Sequence, residues 1–225
     1  MIRRAFDIAV AATVLVFAAP VIAVAAVSVK LSSSGPAFFA APRVGLGGTL
    51  FTMHKLRTMH CRADQGSSIT AAADSRIFLA GRILRKLKID ELPQLINVLK
   101  GDMAVVGPRP EAPDIVERHY TASDRETLAV RPGLTSPGAI YNYTHGEVLL
   151  AEHDIDAEVL YVERILPEKM AMERDYLPRA SVLTDIGVIL QTVAVLVQKA
   201  AGRTRFPVPA PVARLHDRQG FRRAA

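Results

Sequence analysis

The first long feature of the chain is an uncharged apolar run from Ile8 to Val29, preceded by Arg3, Arg4 and Asp7 and followed by Lys30. A helix of that length rises about 33 Å, enough for the hydrocarbon core of a bilayer. Pro20 divides the run into two halves, each too short to span alone. Basic residues at both ends leave the positive-inside rule without a preferred orientation. A spanning helix and a helix that enters, bends at Pro20 and returns to the same side both fit these residues. A cleaved signal peptide fits less well, because the run is long for its apolar region.

Beyond Lys30 the pattern becomes that of a soluble body. Leu31–Pro36 reads as a turn, and the short apolar pieces Ala37–Ala41 and Thr49–Met53 flank Pro42–Gly48. That spacing predicts a β-hairpin or a Gly-rich loop, with Lys55 and Arg57 on one face if the piece stays extended. It is not a Walker A motif, which ends in Lys-Ser/Thr. Residues 62–75 read as a polar loop and Ile77–Lys88 as a basic helix. Then comes the stretch around which the chain is organised, Lys88 to Asp102. Pro93 suits a first helical turn, Leu95, Ile96, Val98 and Leu99 recur at helical spacing, and Gly101 suits the stop. Asp90 and Glu91 therefore fall at or just before a helix N-terminus, which favours negative charge. Two roles stay open for Asp90: capping the helix, the commoner one for Asp, or serving as an ionised carboxylate that binds Mg²⁺ or attacks phosphate.

Farther on, Ala112–Val130 reads as helix with a loop at Thr121–Asp124, and Ile155–Arg174 as an amphipathic helix interrupted near Pro167. Ser181–Gln198 is apolar on most faces and fits either a core helix or one lying on a membrane surface. Residues 200–225 read as a disordered basic tail.

Composition narrows the chemistry. The chain has 225 residues, 50% of them hydrophobic and 22% charged, with a mean hydropathy of +0.20. One soluble domain plus a concentrated apolar segment accounts for this. A net charge of +6 points to an anionic partner. The single cysteine, Cys61, excludes an internal disulfide framework and a Cys-based zinc site, and the histidines show no HExxH pair. No aromatic-rich basic platform suggests nucleic acid. Arg109 stands between Pro108 and Pro110, and Arg131 precedes Pro132-Gly133, so both guanidinium groups sit on stiff turns. With Lys55, Arg57 and Arg85 they make a candidate phosphate site.

A series of motifs in this order resembles the bacterial sugar transferases, the small monotopic phosphoglycosyl transferases. The matching pieces are Arg4-Ala-Phe-Asp7, Arg43-Val-Gly45, Lys55-Leu-Arg-Thr-Met59, Asp74-Ser-Arg-Ile77 and Gly81-Arg-Ile-Leu-Arg85. The series continues through Asp90–Met103, Val106–Glu111 and Val130–Thr135. The resemblance implies a helix-rich α+β fold in three parts: a re-entrant membrane helix over 1–30 bent at Pro20, a cytoplasmic catalytic domain over 31–199 with a small β element and amphipathic interfacial helices, and the tail. It implies that Asp90 attacks a UDP-sugar, with Glu91 supporting it by proton handling or positioning. UMP is released, and the sugar phosphate passes to polyprenyl (undecaprenyl) phosphate. Mg²⁺ would bind at Asp90, and Arg85, Arg109, Arg131, Lys55 and Arg57 would hold phosphate. The implied setting is the cytoplasmic face of the bacterial inner membrane, in the first membrane step of exopolysaccharide, lipopolysaccharide or glycoconjugate synthesis. A homodimer or downstream glycosyltransferases would be its protein partners. Two stretches depart from the family pattern. Ala19 stands where a serine often precedes the membrane proline, and Ser136–Tyr143 replaces the family's Gly-Trp-Ala-Gln-Val-Asn-Gly-Arg. The second departure motivates an alternative, a catalytically silent membrane adaptor that keeps the fold.

Overall fold

The computed structural model describes residues 2–61, 74–152, 156–218 and 220; most of the polar stretch 62–75 lies outside them. Helix α1 (Ile2–Ser32) runs without interruption through Pro20. Its buried positions, Asp7, Ala11, Ala18, Ala25 and Val29, form a narrow stripe of mostly small side chains. The rest of its apolar surface faces outward, with Val16 70%, Phe17 76% and Val24 72% exposed.

Both ends of α1 are tied to the same body. Near the start, Arg3 pairs with Asp185 and donates to the Tyr176 hydroxyl, while Asp7 Oδ1 accepts from the Val105 N–H at 2.9 Å. At the far end Ala25 and Val29 pack with Leu56, Phe78 and Leu84, and Lys30 reaches the Gly35 carbonyl at 3.0 Å.

Strands β1 (Phe38–Val44) and β2 (Leu50–Leu56) form the expected hairpin, antiparallel from Phe38 opposite Leu56 to Val44 opposite Leu50. After α2 (Leu79–Lys86) come a 3₁₀ turn (Ile89–Glu91) and α3 (Gln94–Lys100). Pro93 opens α3, and Gly101 ends it in the left-handed conformation at φ 97°. Arg4 completes that end, its guanidinium donating to the Val98 and Leu99 carbonyls at 2.7 and 3.0 Å. Asn97 binds α3 to β2, donating to the Thr52 carbonyl at 2.7 Å and accepting from the His54 N–H at 3.0 Å.

Strands β3 (Ala104–Val106) and β4 (Gly133–Thr135) pair in parallel. Between them lie α4 (Pro113–His119) and α5 (Ala122–Arg125). The loop expected at Thr121–Asp124 is instead a capped helical turn, because Thr121 and Asp124 form a reciprocal capping box.

Helix α6 (Pro137–Tyr141) passes through a π-helical turn (Asn142–Gly146) into α7 (Glu147–Glu152). Helix α8 (Ala157–Leu160) likewise passes through a π turn (Tyr161–Ile165) into α9 (Leu166–Tyr176). The interruption expected near Pro167 is this wide turn. It accommodates a proline whose ring would otherwise meet the carbonyl four residues earlier.

Helix α10 (Val182–Ala200) buries Val188 and Val195 in the core but is apolar on its outer face as well. Its inward positions include Asp185, Thr192 and Lys199, which bond to Arg3, Thr135 and Glu147. Its outward positions include Leu183 at 80%, Leu190 at 64% and Val197 at 62% exposure.

The tail is not disordered throughout: Ala210–Arg218 forms helix α11. Val212 is fully buried, and Arg214 pairs with Asp175 at 2.8 Å. One buried valine and an ion pair give this basic segment a docking point on α9.

Candidate active site

Asp90 sits on the 3₁₀ turn ahead of α3 and is 4% exposed. It caps nothing: neither that turn nor α3 has a side-chain cap. The capping role is therefore corrected. Pro93 starts the helix, and Asp90 Oδ1 is buried without a hydrogen-bond partner. One helical turn later both amide atoms of the fully buried Gln94 are also unpartnered. Such groups cost about 1–3 kcal/mol each in an apolar setting, and they persist where a ligand satisfies them.

The turn is held under strain. Lys88 has φ 56°, the one non-glycine with positive φ among the described residues. This conformation costs roughly 1–2 kcal/mol for an L side chain. Lys88→Gly is therefore expected to unfold a few degrees above Lys88→Ala, both lacking the ammonium, at roughly 2–4 °C per kcal/mol. Thermal unfolding of the two variants side by side checks this.

Asp90 opens onto a cavity of about 430 Å³. Of the residues expected at the site, Asp90, Glu91, Lys55, Arg85 and Arg109 all line it. Arg109 Nη2 donates to Glu91 Oε1 at 2.6 Å, and Lys88 Nζ lies 3.9 Å from the same oxygen. Burial, then the charge of Glu91, pushes the Asp90 carboxyl up to about 6 despite Lys88, Lys55 and Arg85. Burial also opposes ionisation of Glu91, but Arg109, Lys88 and Lys55 outweigh it and hold that carboxyl well below its usual range. The two adjacent carboxylates thus have different characters, one a permanent anion and the other a titrating group with an unpartnered oxygen. Lys55 is lowered to about 8 by burial and by Arg43.

Arg57 and Arg131 are not brought to the cavity. Strand β2 ends at Leu56, so the alternation that would put Arg57 beside Lys55 stops there. Arg57 is 5% exposed and donates to the Pro36, Ser33 and Met59 carbonyls and to Ser33 Oγ. It clamps the exit of α1. Arg131 reaches the Gly101 carbonyl at 2.9 Å from an exposed position.

Several lining residues were not singled out from the sequence. Arg43, Arg82, Lys86 and Lys88 lay within motifs or the basic run around Asp90, which was the available signal. Glu111 is buried, bonded to Lys169 and to the Tyr161 hydroxyl. Glu147, also on the lining, joins Lys88 at 3.1 Å and Lys199 at 3.2 Å. No local pattern marked Lys199.

Among the described residues no three His, Cys, Asp or Glu side chains cluster as a metal group. A divalent cation here would have to take Asp90 Oδ1 together with phosphate oxygens of a substrate. That is the usual manner of Mg²⁺, and the unpartnered carboxylate oxygen fits it.

The family model for bacterial sugar transferases matches residues 1–199. The UDP-glucose:undecaprenyl-phosphate glucose-1-phosphate transferase of Caulobacter vibrioides is 39% identical over 196 residues, covering 85% of this chain and 68% of the relative. The undecaprenyl-phosphate glucose phosphotransferase of Komagataeibacter xylinus is 32% identical over 202 residues, 85% of this chain but 35% of the relative, so the chain spans about a third of that protein. The exopolysaccharide production protein ExoY of Rhizobium meliloti is 29% identical over 209 residues, covering 86% and 84%. The family match across 199 positions, with the carboxylate pair and its cations in place, puts this chain in the bacterial sugar transferase family, as an enzyme of the transferase class.

Proposed function

We propose that the protein transfers sugar-1-phosphate from a UDP-sugar to undecaprenyl phosphate through a covalent adduct on Asp90. The observation that carries this reading is a buried carboxyl with an unpartnered oxygen, in a cavity lined by Lys55, Arg85, Lys88 and Arg109. A carboxylate so placed can attack phosphorus while cations stabilise the spreading charge. In the first step an Asp90 oxygen bonds to the β-phosphorus. The bridging P–O bond breaks, and its electron pair leaves on UMP. In the second step an oxygen of the lipid phosphate bonds to the same phosphorus, and the bond to Asp90 breaks, restoring the carboxylate. Glu91, kept anionic, acts by position, fixing Arg109 at the cavity wall. Asp90 would hold Mg²⁺ together with the substrate's phosphates, and the ion would supply charge neutralisation for the departing UMP. The carboxylate pair and cations are intact, so nothing favours a silent adaptor.

The membrane setting is supported by three surfaces. Helix α1 shows bare apolar side chains between two clamped ends, α10 turns its leucines and valines outward, and α2 exposes Leu79 and Ile83. Clamping both ends of α1 to one body favours a re-entrant helix over a span, and UDP-sugars place that body in the cytoplasm, at the inner membrane. Ile2→Cys and Ser32→Cys, each in a Cys61→Ser background, should be labelled from the same side by an impermeant maleimide. Labelling from opposite sides would establish a span.

The activity is tested by UMP release from a panel of UDP-sugars with Mg²⁺ and undecaprenyl phosphate in detergent. A burst of UMP without acceptor, matched by a phosphosugar adduct on Asp90, is the expected result. Release that requires both substrates together, with no adduct, would overturn the covalent route.

A further inference from the structure

Two of the outward-apolar helices lead, at or just past their ends, to lysines that meet at one point inside the cavity. Helix α2, with Leu79, Ile83 and then Leu87 exposed, leads into Lys88. Helix α10, with its outward row of leucines, isoleucine and valines, ends its inward face at Lys199. Both ammonium groups lie over the Tyr143 ring, at 4.5 and 3.7 Å from its centre. They grip separate oxygens of Glu147, at 3.1 and 3.2 Å. The Tyr143 hydroxyl donates to the Lys86 carbonyl at 2.8 Å, and Lys199 also donates to the Tyr143 carbonyl, so the post between the lysines is fixed.

We propose that Lys88 and Lys199 are the seat of the acceptor's phosphate, and that Glu147 holds this seat until a lipid-borne phosphate monoester displaces it. The inference rests on the transferase reading above. A ping-pong route needs two anions to reach Asp90 in turn, one from water and one from the bilayer. Arg43, Lys55, Arg85 and Arg109 also line the cavity and remain for the donor diphosphate. The pair at Lys88 and Lys199 is distinguished by its approach: Lys88 lies two residues past the end of α2 and Lys199 in the last turn of α10, and both helices expose an apolar row. A polyprenyl tail can lie along those faces while its phosphate enters between the ammonium groups. Glu147 presents two oxygens to two cations, as a phosphate would. It is only half-buried, which lets it swing away.

The two half-reactions separate this role from a structural one. In Lys199→Gln the UMP burst measured without acceptor should stay within twofold of the parent. The KM for undecaprenyl phosphate should rise about tenfold, with kcat less affected, the size expected when one charge-assisted contact is lost. Glu147→Gln should lower the same KM several-fold, by removing the competing anion. Inorganic phosphate should inhibit the second half-reaction competitively with the lipid, and less so in Lys199→Gln. If Lys199→Gln slows the burst as much as turnover, or leaves the acceptor KM unchanged, the proposal is wrong. It is equally wrong if inhibition by inorganic phosphate is unaltered in Lys199→Gln, since Lys199 would then answer to the tail. A parent enzyme without any UMP burst would instead remove the transferase reading itself.

Discussion

Asp90→Asn is expected to abolish UMP release, by roughly four orders of magnitude or more, the scale seen when a nucleophile is removed. The amide has the same shape, so cavity and substrate seats should survive and the UDP-sugar should still bind. The variant should also be more heat-stable than the parent at neutral pH. Burial raises the Asp90 carboxyl to about 6 in the folded state, above its ordinary 3.8. The folded protein thus holds that proton more tightly than the unfolded chain, and ionising it costs stability as pH rises through this window. An uncharged amide escapes the cost. The stability gain should be absent near pH 3, where the parent's carboxyl is protonated in both states. In the parent, the burst rate should climb as pH rises through about 6, tracking ionisation of the attacking carboxylate. Heat-resistant, inactive protein is the combined signature; an active Asp90→Asn, or an adduct on another residue, would remove Asp90 as nucleophile.

The second large effect should come from Arg109→Gln. Its ion pair with Glu91 is 2.6 Å long, and Glu91 is only 16% exposed at its side chain. Removing one partner of a buried pair leaves an uncompensated charge, at a cost of about 3–5 kcal/mol. For a chain of this size that is roughly 10 °C of unfolding temperature. The pH dependence carries a definite sign. Arg109, with Lys88 and Lys55, keeps Glu91 ionised well below its usual range, so this carboxyl stabilises the fold above that range and the contribution is lost as pH falls. Parent and variant should therefore differ most near neutrality and converge in acid. Arg109→Lys, which restores charge but not the planar fork, should recover part of the stability and less of the activity. A constant gap from pH 7 to pH 3 would mean that Arg109 stabilises by packing alone.

What could be read from the residues follows the range of the signals. Pro93 and Gly101 delimit α3 within a residue of the structure, because each acts on its own backbone. The hairpin was legible for the same reason, from alternating apolar pieces on either side of Gly45–Gly48. For Asp90 the local residues left a cap and an ionised carboxylate both open, and the motif series pointed to the second; the tertiary setting leaves its oxygen free of the helix N–H groups. Arg57 was misplaced by one missing residue of strand. Lys199 and Glu147 are 52 positions apart and meet only through the folding of α6, α7 and α10. The helix in the tail had no local reason to form; a docking site on α9 orders it.

Arg3, in the first turn of α1, is completed by Asp185, 182 positions further along the chain. The two long apolar helices, α1 and α10, are thus joined by a charged pair on their inner sides while their apolar flanks face outward. A product stalled before Asp185 is not a smaller enzyme but an open one, with its entry arginine unanswered and the lid of its core missing.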